Sequence, residues 1–253
     1  RENARQIKRR LTRLLQRTDC YFSQIGGGFG MKIIRGRRMT QPPIALFPHS
    51  SGPMLFGAND VELKKRGSGN DIILALDPDS APYYRASGIP EMLTLGYHCL
   101  DKRWRAQTRK EAADLPSCAL IFSYQDRPDV LPLEKWQRLH QSTYEAIRRM
   151  RPDLHIVVKA HPNQDMEKLM RFVADRGWTN ASISTTNPAV LAEKAEFCVS
   201  FLTFGIFNTL LLNVPSINYF NAREEFERAF GPMRQDFGSI GVPSVETEAD
   251  LEV

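Results

Sequence analysis

The run Leu154 to Pro162, LHIVVKAHP, constrains this chain more than any other stretch, because it is apolar and β-branched and then ends abruptly in Lys, His and Pro. A strand buried on both faces of a sheet reads as continuous apolar residues, whereas a half-exposed one alternates. Polar chemistry on such a strand sits at its carboxyl end, where open α/β sheets bind ligands. His161 is therefore a site candidate.

The second half of the chain repeats this pattern at short spacing. Strands are expected at Cys118 to Phe122, His155 to Lys159, about Ala181 to Ser184, Phe197 to Phe201 and Ser216 to Tyr219. Helices are expected between them, at Leu133 to Met150, Asp165 to Asp175, Pro188 to Lys194 and Ile206 to Leu212. In the longest, Trp136, Leu139, Thr143 and Ile147 recur at core-facing spacing. Strand and helix alternating in this way predict an α/β fold with a doubly wound parallel sheet. The uncharged stretch Phe197 to Ala222 is long enough for a membrane helix, but Gly205, Asn208, Asn213, Pro215 and Asn218 punctuate it. It reads as strand, loop, helix and strand.

The first half is less regular. Ile44 to Phe47 and Asp71 to Leu76 are short strands that end in polar clusters, Pro48 to Gly52 and Asp77 to Asp79. Gly26 to Gly30 (GGGFG) reads as a connector, since neither a strand before it nor a helix after it is evident. The expected organisation is a basic arm over 1–40, the tail of an N-terminal Rossmann-like unit over 41–110, and a C-terminal Rossmann-like unit over 111–253. With 253 residues, 42% of them hydrophobic, the chain is long enough for this. It opens on Arg1 and stops at Val253, and so is expected to be a piece of a longer protein with an incomplete N-terminal unit.

Loops at the carboxyl ends of the strands converge on one crevice in such a sheet. They supply Ser123, Tyr124 and Gln125; His161, Pro162 and Asn163; Ser184 to Asn187; and Ser200, Thr203, Phe204 and Gly205. Hydroxyls and the N–H groups of helix starts bind phosphate, and Tyr124 or Phe204 is placed to flank a base. Thr203 and Gly205 form the best anion cradle, although a tight strand-to-helix turn alone also accounts for Gly205. His161 is suited to donate to a phosphate oxygen, with Lys159 adding positive potential on the same face. His49 ends a strand in the first half and is the candidate general base for an acceptor hydroxyl, or else a turn residue. Asp77-Pro78-Asp79 reads as a turn rather than a chelating pair, and no metal is expected.

Taken together, VVKAHP (Val157 to Pro162), NPAVLAEKAEFCVS (Asn187 to Ser200) and FLTFGIFNTLLLNVPSINY (Phe201 to Tyr219) resemble the C-terminal half of glycosyltransferases with the two-Rossmann GT-B architecture. Within that architecture they resemble the bacterial surface-polysaccharide group: capsule Kdo transferases, polysialyltransferases and teichoic-acid polyol-phosphate transferases. PYYRASGIP (Pro82 to Pro90) and LTLGYHCLDKRW (Leu93 to Trp104) resemble the link between the two units. The resemblance implies that His161, Pro162, Ser200 and Thr203 hold the phosphates of a nucleotide-sugar donor, CMP- or UDP-linked, with no further cofactor. It implies a polysaccharide or lipid-linked acceptor. Related transferases often carry an acidic residue where this chain has Asn208, which bonds hydroxyls without charge assistance. Two alternatives stand beside the transferase: a nucleotide-sugar 2-epimerase, and a non-catalytic nucleotide-sugar-binding or scaffold subunit.

Residues 1–38 hold eleven Lys or Arg against Glu2 and Asp19, a balance of +9 in a chain whose net charge is +5. Ile7, Leu11, Leu14 and Leu15 lie at helical spacing among them. A basic amphipathic helix of this kind fits an anionic membrane surface, while a helix that merely turns its Arg residues to water fits the same residues. Aromatics in the arm are few and no nucleic-acid-binding module is present, so nucleic acid is not an expected partner. Cys20, Cys99, Cys118 and Cys198 form no CxxC pair, and the N-terminus is polar, which point to a reducing cytoplasm; the membrane reading of the arm over 1–38 would put the chain peripherally at the inner face of the cell membrane. If the arm is the membrane contact, the chain floats with anionic liposomes and loses that property when residues 1–20 are removed.

Overall fold

Parallel strands cannot be joined by a hairpin, so each pair needs a crossover of a dozen or more residues, and the spacing of apolar runs in this chain leaves room for one every time. The computed structural model describes residues 21–23, 44–46, 72–75, 91–97, 101–124, 127–230 and 237–252. The chain divides into two compact units, Arg1–Tyr97 and His98–Val253. In the first, β1 (Tyr21–Ser23), β2 (Ile44–Leu46), β3 (Ile72–Ala75) and β4 (Glu91–Thr94) form a parallel sheet in that order. The Leu95 N–H donates to the Ala75 carbonyl at 2.9 Å and extends the last ladder.

β1 lies within the stretch that the sequence assigns to a basic arm, and it puts a strand directly before the Gly26–Gly30 run. Three residues are too few to show a period, which is why the sequence does not reveal them. The amphipathic segment Arg5 to Leu15, the glycine run, His49, Asp77 to Asp79 and Gln125 lie outside the described residues.

The second unit opens with α1 (Lys102–Glu111), whose first free N–H groups are capped by Asp101 Oδ1, accepting from Arg103 at 2.9 Å and Trp104 at 3.1 Å. The sequence places the boundary between units near the end of this helix, whereas α1 packs within the second unit: Thr108 donates to Glu193 at 3.0 Å. Then come β5 (Cys118–Phe122), α2 (Leu133–Met150), β6 (His155–Lys159), α3 (Met166–Asp175), β7 (Ala181–Ser184), α4 (Pro188–Ala192), β8 (Ala195–Ser200), α5 (Ile206–Leu210), β9 (Ser216–Tyr219), α6 (Arg223–Phe230) and β10 (Ser244–Val245). All six strands are parallel, in the order β10-β9-β8-β5-β6-β7. The chain starts in the middle of the sheet, winds outward to β7, returns to the far side of β5 and winds outward again. That is the doubly wound order.

Both faces of this sheet are covered, as its continuous apolar strands require. On one side Cys118, Leu120, Phe122, Val157 and Cys198 pack with Leu191 of α4. On the other, Trp136 and His140 of α2 meet Phe172 of α3 and Phe201, with ring centroids 4.3 to 6.0 Å apart. The four α2 positions expected to face the core, Trp136, Leu139, Thr143 and Ile147, are all buried. The uncharged stretch after Phe197 resolves into strand, turn, helix and strand, and no helix among the described residues is long and apolar enough to cross a membrane.

His140 sits inside this aromatic layer with no exposure, and burial pushes its pKa from 6.5 down to about 4. The folded protein thus refuses a proton that the unfolded chain accepts. Stability contributed by the neutral ring is complete above about pH 6.5 and is lost as pH falls toward about 4, by about 3 kcal/mol in all. Urea titrations across that window should show this loss in the native protein and a flatter dependence in His140→Gln.

Candidate functional site

In a doubly wound sheet the ligand crevice opens where the winding reverses, which here is between β5 and β8. Neighbouring strands lie about 4.8 Å apart, so the loops after β6 and β8 flank the end of β5 at a separation of about 10 Å. Across that end the register sets Asn218, Ser200, Phe122, Lys159 and Ser184 in one transverse row. Residues in register on parallel strands share a face. Lys159 is therefore on the side of Phe122, half-buried, with Nζ donating to the Ala160 carbonyl at 2.6 Å and its pKa lowered by desolvation.

After β6 the chain makes a tight turn. The Gln164 N–H donates to the His161 carbonyl at 2.9 Å, and Pro162 occupies the position whose φ proline pre-sets. The Asn163 N–H donates to His161 Nδ1 at 3.1 Å. Nδ1 is thereby the acceptor, and in the neutral ring the proton resides on Nε2. His161 is half-buried while Pro162 and Asn163 are exposed. Asp165 then caps α3 by accepting from the Lys168 N–H at 3.0 Å.

After β8 the turn is strained. Leu202 has φ +53°, a left-handed value that a bulky side chain rarely adopts. Its N–H donates to Asn218 Oδ1 at 3.0 Å, which holds it there from the neighbouring strand. The Thr203 N–H donates to Ser200 Oγ at 3.3 Å. Gly205 has ordinary right-handed angles, so φ does not demand glycine. A Cβ there would come within 3.0 Å of the Phe122 ring and 3.1 Å of Thr203 Oγ1, and close packing accounts for the residue.

The hydroxyls and rings read from sequence as ligand contacts divide accordingly. Ser123 and Ser200 are fully buried and Thr203 nearly so, which makes them supports beneath the loops. Tyr124 is buried with its ring 5.7 Å from that of Phe220, whereas Phe204 is half-exposed and stacked on Phe207 at 6.0 Å. Asn208 spends its Nδ2 on the Gly205 carbonyl at 3.1 Å. Three residues the sequence left unassigned also belong to this region: Asn218, Gln164 and His140. Ser123 Oγ lies 2.7 Å from the Gln164 carboxamide and 3.0 Å from His140 Nε2. Which position of α2 would meet Ser123 depends on helix docking, and no sequence signal carries that.

Among the described residues no group of three or more His, Cys, Asp or Glu is arranged to hold a metal ion. The thiol of Cys118 is pushed up to about 11, and that of Cys198 higher still, both chiefly by burial, so neither is a nucleophile at neutral pH. Because Asn218 is the acceptor for a buried, strained N–H, Asn218→Ala should destabilise the unit by about 1 to 3 kcal/mol. Asn218→Asp, which keeps the acceptor, should lose less in thermal unfolding only at a pH low enough to protonate it, since a buried carboxylate carries its own desolvation cost.

No protein-family model matches the sequence, and comparison with curated proteins gives no match. Solved structures do match in shape. The UDP-GlcNAc 2-epimerase of Methanocaldococcus jannaschii, in complex with UDP-GlcNAc and UDP, superposes with a TM-score of 0.60 at 14% identity, over 98% of this chain and 70% of that one. The wall teichoic acid polymerase TagF gives 0.56 at 11%, over 92% and 62%, so this chain spans about three fifths of TagF. UDP-N-acetylglucosamine 2-epimerase from Rickettsia bellii gives 0.56 at 16%, over 84% and 58%. At these identities the likeness is one of fold: the chain has the α/β, doubly wound parallel-sheet architecture of the GT-B-like, two-Rossmann class.

Proposed function

We propose that this chain is a glycosyltransferase that moves a sugar from a nucleotide-activated donor, CMP- or UDP-linked, to an acceptor hydroxyl in surface-polysaccharide synthesis. The observation that carries the reading is the His161 turn. It places an imidazole whose neutral form carries its proton on Nε2 beside the switch point, with the half-buried Lys159 at the end of the same strand. In the transfer, the acceptor oxygen attacks the anomeric carbon, the bond from that carbon to the donor phosphate breaks, and negative charge gathers on the departing nucleotide. His161 Nε2–H and Lys159 stabilise that charge where it develops. The acceptor proton goes to a general base, for which His49 remains the candidate. Phe204 flanks the base or ribose, and the carboxamide oxygen of Asn208 accepts from a ribose hydroxyl. No metal enters this scheme, since the cationic and N–H groups supply the positive charge.

A 2-epimerase is the second reading, favoured by the superposition on an enzyme of that name over 98% of this chain. Incubation with UDP-GlcNAc separates the two: a change of configuration at C2 without an acceptor identifies the epimerase, and sugar transfer only when an acceptor is present identifies the transferase. A hydrogen bond to a charged phosphate contributes about 1.5 to 3 kcal/mol. His161→Ala should therefore weaken UDP or CMP binding by about ten- to a hundred-fold by calorimetry, with the apo melting temperature nearly unchanged. Unchanged affinity with a lowered melting point would remove His161 from the site.

A further inference from the structure

We propose that Gln164 is the positioning residue of this site, acting through a one-way chain of hydrogen bonds from Gln164 to Ser123 to His140 that fixes the His161 turn against the end of β5. The inference rests on the reading that His161 contacts the donor phosphate. Gln164 closes the turn with its backbone, donating to the His161 carbonyl at 2.9 Å, and its carboxamide reaches across to Ser123 on the neighbouring strand at 2.7 Å. It is 7% exposed. One residue thus ties the backbone of the turn to the end of β5.

Proton counting gives the chain its direction. His140 Nδ1 faces the Trp136 carbonyl at 2.8 Å, and a carbonyl only accepts, so Nδ1 carries the proton and Nε2 is the acceptor. Ser123 has one proton, and His140 Nε2 at 3.0 Å needs it. The structure sets Gln164 Oε1 at that contact, but with its proton committed to His140, Ser123 Oγ must accept there, and the network assigns the carboxamide the rotation in which its NH2 faces Ser123. The opposite rotation leaves that NH2 buried with no acceptor. Every link is thus satisfied only if residue 164 donates. A glutamine does so at any pH; a carboxylate cannot.

The test replaces Gln164 with Glu and, separately, with Met, and measures UDP affinity by calorimetry as a ratio to the native protein between about pH 8 and pH 5. Burial raises a carboxyl pKa, so the glutamate is ionised at the upper end and protonated, hence a donor again, at the lower. The titratable groups around it are His140 on α2, whose pKa of about 4 lies below the window, Asp165 and Lys168 at the start of α3, and His161 in the turn itself; what these contribute is common to variant and native protein and drops out of the ratio. Gln164→Glu should bind about ten-fold more weakly at the upper end and approach the native affinity at the lower, whereas Gln164→Met should stay weak at every pH. The imidazole nitrogen signals of His161 in the apo protein should show the Nε2–H tautomer in the native chain and mixed tautomers in Gln164→Met. A flat ratio for Gln164→Glu, or an unchanged His161 tautomer in Gln164→Met, would overturn the proposal. If His161→Ala binds UDP like the native protein, the donor-site reading fails instead, and the tautomer signals alone decide whether Gln164 positions the ring.

Discussion

The return of the chain from β7 to the far side of β5 is the constraint on which the rest of this unit depends. It makes β5 the central strand, buried on both faces along its whole length, and it leaves that strand's carboxyl end between two loops that approach from opposite directions. Nothing else in the sheet is arranged so. Between β5 and β6, or between β8 and β9, consecutive strands sit side by side and the connecting helix covers the gap. Between β5 and β8 the chain makes no direct connection, and a doubly wound sheet has its crevice at such a point by topology rather than by any special side chain.

An open crevice still needs loops that hold their shape, and loops carry backbone groups that the ladder no longer pairs. Here, buried amides on neighbouring segments supply the partners. Asn218 accepts the N–H of Leu202, and Gln164 reaches Ser123 across to β5. The strain at Leu202 is tolerated because the neighbouring strand over-determines it. Gly205, which from sequence serves either an anion cradle or a tight strand-to-helix turn, lets the Phe122 ring lie against the turn.

Much of the fold was legible in the sequence, and the reason is physical. Cys118 to Phe122 is buried along its whole length and Ile156 to Val158 is the buried middle of the next strand, so those residues had to be apolar without interruption, and the structure has both strands at the expected bounds. α2 shows its period because its 18 residues span five turns. The elements that left no trace are short or peripheral: β1 has three residues and β10 two, and such strands exist through pairing with a neighbour rather than through any pattern of their own. The site was legible as a set of loops, since strand ends can be counted. Which members face the crevice was not, because Ser123, Ser200 and Thr203 differ from an exposed hydroxyl only in what packs above them.

The buried groups beneath the site share one property. His140, Ser123, Gln164, Asn218 and Ser200 are all uncharged, and His140 stays so because burial holds its pKa near 4. A buried ion pair in the same place would cost several kcal/mol of desolvation for each partner and would regain it only with excellent geometry. It would also set a fixed charge beneath the turn at which we propose that the donor phosphate binds. On that reading a carboxylate beneath the His161 turn would repel the donor phosphate, and a second cation added to Lys159 would hold the departing nucleotide back. Neutral supports avoid both, and they leave the local potential to Lys159, whose half-burial strengthens its field at the strand end.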